Sequence, residues 1–427
     1  MLRTIKLESG QPFTSELLAR SGGLSREIIN IAADIVDDVR HRGDEALAEY
    51  TQRFDGVLLD DIRVSEEEIA YAYEKVSEEL VASLRYAMQR IRMFHSHYPQ
   101  KSWVIDDADD VILGQKITPI QRVGVYVPGG TAQYPSSVLM NVIPAQVAGV
   151  SEIAMVAPPA KDGTISPFTL VAADIAGVTE IYKVGGAQAI GALAFGTDTI
   201  PAVDKIVGPG NAYVAAAKKH VVGDVGIDMI AGPSEVLILA DETANPRLVA
   251  IDLMAQAEHD ERAATYLVTT DAALPEKVES ELSQLLEATE RPDITRASLE
   301  DNGLVVVCKN MADAIMVSDV IAAEHLEVMT EDADVVADTI SNAGAIFIGS
   351  WTPESVGDYV AGPNHVLPTG GTARFSSPLS TDDFIKKSSI IKYTPTGLER
   401  DRLAIETIAE AEGLWAHKAA VTMRFES

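Results

Sequence analysis

The chain has 427 residues, 47% apolar and 23% charged, and its 34 basic against 64 acidic side chains leave a formal net charge of −30. Such a composition is ordinary for a soluble globular protein of two or three domains, and the charge disfavours a nucleic-acid backbone or an anionic membrane surface as partner. The single cysteine, Cys308, excludes an intramolecular disulfide and any cysteine-rich zinc site.

The start, MLRTIKLESG, lacks the apolar core of a signal peptide, and no apolar run is long and uncharged enough to span a bilayer, so a cytoplasmic protein is expected. Residues 1 to about 110 read as polar and mostly helical, with apolar residues at three-and-four spacing over Arg26–Arg42 and Glu66–Tyr98. His41, His220 and the pair His95 and His97 before Pro99 read as ordinary positions.

From about residue 120 the texture changes. Predicted strands are Val123–Val127 ending at Pro128-Gly129-Gly130, Ile153–Ala157 before Pro158-Pro159, and Ile181–Val184 ending at Gly185-Gly186, which opens a helix over Gln188–Phe195. Lys205–Val207 ends at Gly208-Pro209-Gly210 with a helix from Asn211, and Ile227–Ile230 ends at Gly232-Pro233. A second block alternates strands Val236–Ala240, Thr265–Thr269, Leu304–Cys308, Leu326–Met329 and Ala345–Ile348 with helices Pro246–His259, Pro275–Ala288, Met311–Ala323 and Ala333–Ala343. Strand, glycine turn and helix in repetition predict parallel sheets covered by helices. Two such units suggest a cleft, with ligands beyond the carboxyl ends of the strands. The Gly-, Pro-, Ser- and Thr-rich loop Trp351–Thr381 is too long for a plain connector and is expected to carry function. Arg400–Arg424 reads as a terminal helical tail.

Four of the eight histidines lie near a carboxylate. His259 sits between Glu258 and Asp260, His325 follows Glu324, His365 comes seven residues after Asp358, and His417 five after Glu412. Imidazole with carboxylate binds a metal or moves protons near neutral pH. In so acidic a chain the same neighbours also arise by chance. Gln256 and His259, three apart in a predicted helix, project from one face. Further ligands would come from distant segments, with Asp358, His365 and His417 available, since no H-E-x-x-H or C-x-x-C is present. Glu324-His325 closes a helix and opens a strand. It is either a pair that activates water and exchanges protons, or a histidine favoured by a helix dipole. The glycine corners suit either an anion or simple strand-end geometry, and Gly208-Pro209-Gly210-Asn211-Ala212-Tyr213 fails the dinucleotide fingerprint at its third glycine. Cys308, in an apolar run, reads as core rather than as a nucleophile.

In order along the chain stand Gly124-Val-Tyr-Val-Pro-Gly-Gly130, Val184-Gly-Gly-Ala-Gln-Ala-Ile190, Val207-Gly-Pro-Gly-Asn211, Ile230-Ala-Gly-Pro-Ser-Glu235, Gln256-Ala-Glu-His259, Ala323-Glu-His-Leu326, Gly357-Asp-Tyr-Val-Ala-Gly-Pro-Asn-His365-Val-Leu-Pro-Thr369 and Ala411-Glu-Gly-Leu-Trp-Ala-His417. As an ordered set over about residues 20–425 they resemble the histidinol dehydrogenases. The resemblance implies an α/β fold of two incomplete Rossmann-like domains with parallel-rich sheets, a helical N-terminal region and a C-terminal helical tail. It divides the chain into an arm (1–22), a first domain (23–127 with 237–376), a second, NAD-side domain (128–236) and a dimerisation tail (377–427).

The implied activity is zinc-dependent oxidation of L-histidinol to L-histidine through a held histidinal, with two NAD, in the last steps of histidine biosynthesis. One zinc per site is implied on Gln256, His259, Asp358 and His417, the last supplied by the other subunit of a homodimer with exchanged tails. Substrate contacts are implied at Ser234, His325, His365 and Glu412 together with the metal ligands, and NAD contacts at Tyr126, Gln188 and Asn211. His325 is the implied base and Glu324 the water activator. Glu412 and His417, five apart, would lie about 140° apart on one helix. The rival readings are a related NAD-dependent dehydrogenase of another small polar alcohol, such as a sulfonated diol, and a non-catalytic metal-binding protein on the same scaffold.

Overall fold

The computed structural model describes residues 1–14, 17–18, 23–97, 99–107, 110–129 and 134–426. Tyr98, Gly130 and part of the 1–22 arm lie outside the described residues. Strand β1 (Arg3–Lys6) precedes helices α1 (Arg26–Arg42), α2 (Asp44–Phe54), α3 (Glu66–Lys75) and α4 (Glu78–His95). Strands β2 (Trp103–Asp107), β3 (Val111–Pro119) and β4 (Arg122–Tyr126) follow. Then come α5 (Pro135–Ala148), β5 (Glu152–Ala157), α6 (Pro167–Ile175), β6 (Glu180–Lys183), α7 (Gly186–Phe195), β7 (Lys205–Val207), α8 (Ala212–His220) and β8 (Gly226–Ile227). The second run is β9 (Glu235–Ala240), α9 (Pro246–Ala257), β10 (Ala264–Thr269), α10 (Leu274–Leu285), α11 (Pro292–Asn302), β11 (Gly303–Val307), α12 (Met311–Ile321), β12 (His325–Met329), α13 (Ala333–Thr339), β13 (Ala345–Ile348) and α14 (Glu354–Tyr359). Strand β14 (Ile385–Tyr393) and helices α15 (Pro395–Ala411) and α16 (Trp415–Thr422) close the chain.

Two sheets are wholly parallel, one of five strands in the order β6-β5-β4-β7-β8 and one of six in the order β1-β11-β10-β9-β12-β13. Their central strands β4, β9, β10 and β11 are covered on both faces, which is why they are buried throughout. Along β9, Val236, Ile238 and Ala240 pack under α9 and α10, while Leu237 and Leu239 face α12 and α13. Along β4, Val123 and Val125 face α5 and α6, and Tyr126 turns to the side of α1 and α7. The α/β fold of parallel sheets with helical terminal regions is as expected. Cys308 is buried in the α12 side of the core, where burial pushes its thiol up to about 11. Among the described residues no helix is long and apolar enough to cross a membrane.

Several local expectations differ. Arg3–Lys6 is a strand that pairs in parallel with β11, and β2, β3 and β14 form a three-stranded antiparallel sheet. Helix α5 is buried along most of its length and so carries no amphipathic period to read. Strand β4 is the centre of the five-stranded sheet, and α1–α4 pack on that sheet's helices. These elements therefore pack with the strands and helices of 128–227. The tail is two helices, because Gly413 at φ 71° ends α15 and turns the chain into α16. Glu412 thus caps the end of α15 while His417 lies on α16, and their angle on a single helix does not apply.

Candidate active site

Helix α9 starts with Asn245 accepting from the Arg247 N–H and Pro246 in the first turn. It runs back along the sheet from β9, so its last turn lies at the amino edge of the six-stranded sheet. Gln256 is in that turn, and His259 lies just past it, its N–H donating to the Gln256 carbonyl at 3.2 Å. Gln256 is fully buried, yet neither its amide oxygen nor its amide nitrogen meets a hydrogen-bond partner. Leaving both unpaired costs several kcal/mol, on the order of 1–3 per group, unless a ligand pairs with them. This is the strongest physical mark of the site.

Helix α12 ends at Ile321, and Ala322 takes a left-handed turn (φ 48°) that reverses the chain into β12. Glu324 and His325 therefore lie beyond the helix, at the mouth of a strand. The segment before β13 crosses close behind them. A side chain on Gly344 would come within 2.4 Å of the Glu324 carbonyl, so only glycine permits the approach. Both site residues are buried. The Glu324 carboxylate accepts from the Glu235 N–H at 2.9 Å and from the Ser234 side chain. His325 Nδ1 lies 3.2 Å from the Glu235 carbonyl oxygen, an acceptor only, so Nδ1 carries the proton and donates it there. That tautomer leaves Nε2 as a bare acceptor. It is buried, has no hydrogen-bond partner, and points toward Asp358 Oδ1 at 3.9 Å. Burial pushes the His325 imidazole down to about 3, which keeps it neutral at physiological pH.

The loop expected to carry function does bring its residues here. Donor atoms of His259, Glu354 and Asp358 lie within 4.8 Å of one another, a geometry able to hold a metal ion. Glu354 Oε2 is 3.9 Å from His325 Nδ1. His365 Nδ1 lies 3.1 Å from the Asp358 carbonyl, and its Nε2 3.3 Å from Ser137 Oγ on α5. His365 thereby ties the amino edge of the six-stranded sheet to the N-terminus of α5, at the carboxyl end of β4. Burial raises Glu324 and Glu354 well above the carboxylate range and Asp358 to about 6. Carboxyls this reluctant to ionise are the ones a bound cation relieves. Imidazole, amide oxygen and carboxylate together suit zinc among divalent metals.

The candidate residues sit at opposite strand ends in the two sheets. The His–carboxylate cluster is at the amino ends of β9 and β12. Tyr126, Gln188 and Asn211 lie at the carboxyl end of the five-stranded sheet, where the strand order reverses between β4 and β7. Tyr126 is buried and its hydroxyl accepts from the Gly186 N–H at 3.1 Å. Gln188 is buried with both amide atoms unpartnered. Asn211 caps α8 through the Tyr213 and Val214 N–H groups. Gly208 (φ 110°) presses so close to the Tyr126 carbonyl that no side chain fits, and its N–H donates to Asp228, which pairs with buried Lys218. The turn is thus built for close backbone approach without the usual third glycine.

Within one chain, Glu412 and His417 stand apart from the cluster. Both are exposed, on a tail whose helices pack on each other and on β14. Beside His259 opens a groove of about 770 Å³ lined by Leu84, Leu139, Met254, Arg291 and Tyr359. The residues that sequence reasoning missed are Glu354, Glu327 and Asp252, all acids without a motif around them.

A doubly covered parallel α/β chain with a histidine–carboxylate cluster, buried at Glu324, His325 and Glu354, beside a switch-point crevice stands among the α/β oxidoreductases. The family model described as histidinol dehydrogenase matches residues 18–425. A histidinol dehydrogenase of Geobacter sulfurreducens is 52% identical over 413 residues, 96% of each chain. One of Geobacillus kaustophilus is 54% identical over 393 residues, covering 92% of this chain and 93% of its own. The crystal structure of histidinol dehydrogenase from Elizabethkingia anophelis superposes with a TM-score of 0.94 at 40% identity, over 100% of this chain and 98% of that one. The chain belongs to the histidinol dehydrogenase family.

Proposed function

We propose that this protein oxidises L-histidinol to L-histidine through L-histidinal, using two NAD and one zinc per site, as a cytoplasmic homodimer in the last steps of histidine biosynthesis. The observation that carries the reading is buried Gln256, with an amide that none of the described residues pairs, beside the His259–Glu354–Asp358 cluster and the bare Nε2 of His325. Gln256, His259 and Asp358 would hold the zinc, with His417 reaching in from the partner subunit. When bound, zinc supplies a Lewis acid that grips the nitrogens of the substrate, and NAD supplies the hydride acceptor. Tyr126, Gln188 and Asn211 would receive NAD at the switch point.

The chain's own groups then divide the work. His325 Nε2 takes the hydroxyl proton as hydride leaves the carbinol carbon, while Nδ1–H stays on the Glu235 carbonyl and fixes the ring. Glu324 takes a proton from the water that adds to the aldehyde carbon while protonated His325 returns its proton to the carbonyl oxygen, giving the gem-diol and freeing Nε2. His325 accepts the next proton as the second hydride leaves. Ser234 orients Glu324, and His365 with Glu412 would face the substrate. The buried setting keeps the aldehyde from solvent. No thiol adduct is needed, in keeping with buried Cys308. The exposed tail helices and the groove beside His259 support tail exchange. NADH formation with histidinol, set against sulfonated and other small diols, tests the assignment. Turnover on a diol but not on histidinol contradicts it.

A further inference from the structure

We infer that Glu327 is a positioning residue that holds the metal-bearing helices in register with the catalytic histidine. This rests on the metal reading above. Glu327 is two residues after His325 on β12, so both side chains leave the same face of the strand. It is buried, and its Oε1 accepts the Glu354 N–H at 2.8 Å. The Asp252 carboxyl on α9 faces it closely enough for the two to share a proton. Asp252 is one turn before Gln256, and Glu354 one turn before Asp358. Residues four apart share a helix face. Glu327 therefore grips α9 and α14 each one turn before a proposed ligand, and does so from the strand that carries the base.

The hub sets the distance between Gln256, Asp358 and His325 without touching substrate. It acts as outer-layer partners of metal ligands do, whose loss costs about 10–100-fold in metal affinity.

The test titrates zinc into the metal-stripped full-length protein against a chromophoric chelator. Glu327→Ala is expected to weaken zinc binding by about 10–100-fold. Glu327→Gln still accepts from the Glu354 N–H and donates to Asp252, so it should stay within about threefold of the unmutated chain. Rescue by the amide separates positioning from bulk packing. If Glu327→Ala does not fold, Asp252→Ala removes one grip at a half-exposed position and should weaken zinc in the same direction. Unchanged zinc affinity in Glu327→Ala, or in Asp252→Ala where that variant stands in, overturns the inference. So does a loss in Glu327→Gln as large as that in Glu327→Ala. Failure of the unmutated chain to bind zinc contradicts the metal reading itself, and is distinguishable from both.

Discussion

His325 and Gln256 show what one residue can and cannot reveal. Glu324-His325 was legible as a pair, because adjacent acid and imidazole are a recognisable unit. The tautomer was not legible, since it depends on the Glu235 carbonyl brought in from β9. Gln256 has no distinguishing chemistry in the sequence, and only its burial with an unpaired amide marks it. Glu354, Glu327 and Asp252 were invisible among 64 acids, because what sets them apart is three-dimensional proximity. Two predictions belong at this scale. His325→Ala should lower kcat by about 100- to 10,000-fold with little change in zinc content, while His259→Ala and His417→Ala should lose metal. Equal metal loss in all three, measured by elemental analysis, contradicts the division of roles.

The second residue-scale prediction is a pH dependence. Burial holds Asp358 at about 6, above an ordinary aspartate, so below that pH the metal-free site keeps this proton. Zinc must displace it, and binding then releases a proton. Zinc affinity should therefore rise from about pH 5 to 7 and flatten above. The histidine acts on stability rather than on metal binding. His325 is depressed to about 3, so the unfolded chain takes up its proton first. Its share of stability is complete above its ordinary pKa and is lost as pH falls toward 3. Calorimetric titrations across that range measure the first effect. A flat zinc affinity contradicts the ligand role of Asp358.

At the scale of elements, long apolar strands with glycine ends were readable because both sheet faces are buried. Their order in the sheets and the β2-β3-β14 sheet were not, because pairing Ile385–Tyr393 with Val111–Pro119 spans most of the chain. The tail's helical texture was clear, but its break at Gly413 was not. That tail carries Glu412 and His417 away from their own cluster, and the proposed exchange predicts complementation between dead variants. In a mixed dimer of His325→Ala with His417→Ala chains, one site joins an intact core to an intact tail. Denaturing and refolding equal amounts together should restore about a quarter of the unmutated activity, since half the dimers are mixed and each has one good site. No recovery, with mixed dimers shown to form, means that His417 acts within its own chain or not at all.

At the scale of the molecule, two parallel sheets meet with opposite edges, the carboxyl end of one toward the amino end of the other. His365 on Ser137 and Asn364 on the Met140 carbonyl make that junction. The arrangement turns the switch-point crevice of one sheet toward the histidine–carboxylate cluster of the other, which suits the proposed pair of hydride transfers at one carbon. The α/β class followed from the repeating pattern, and the site's roles only from the ordered family motifs. Composition and spacing alone left each histidine ambiguous. The most direct test counts NADH formed per histidinol consumed, in zinc-replete, chelator-stripped and zinc-restored protein. The account predicts two NADH per histidinol, loss of turnover on stripping and its return with zinc. One NADH with histidinal released, or full turnover in metal-free protein, would contradict it.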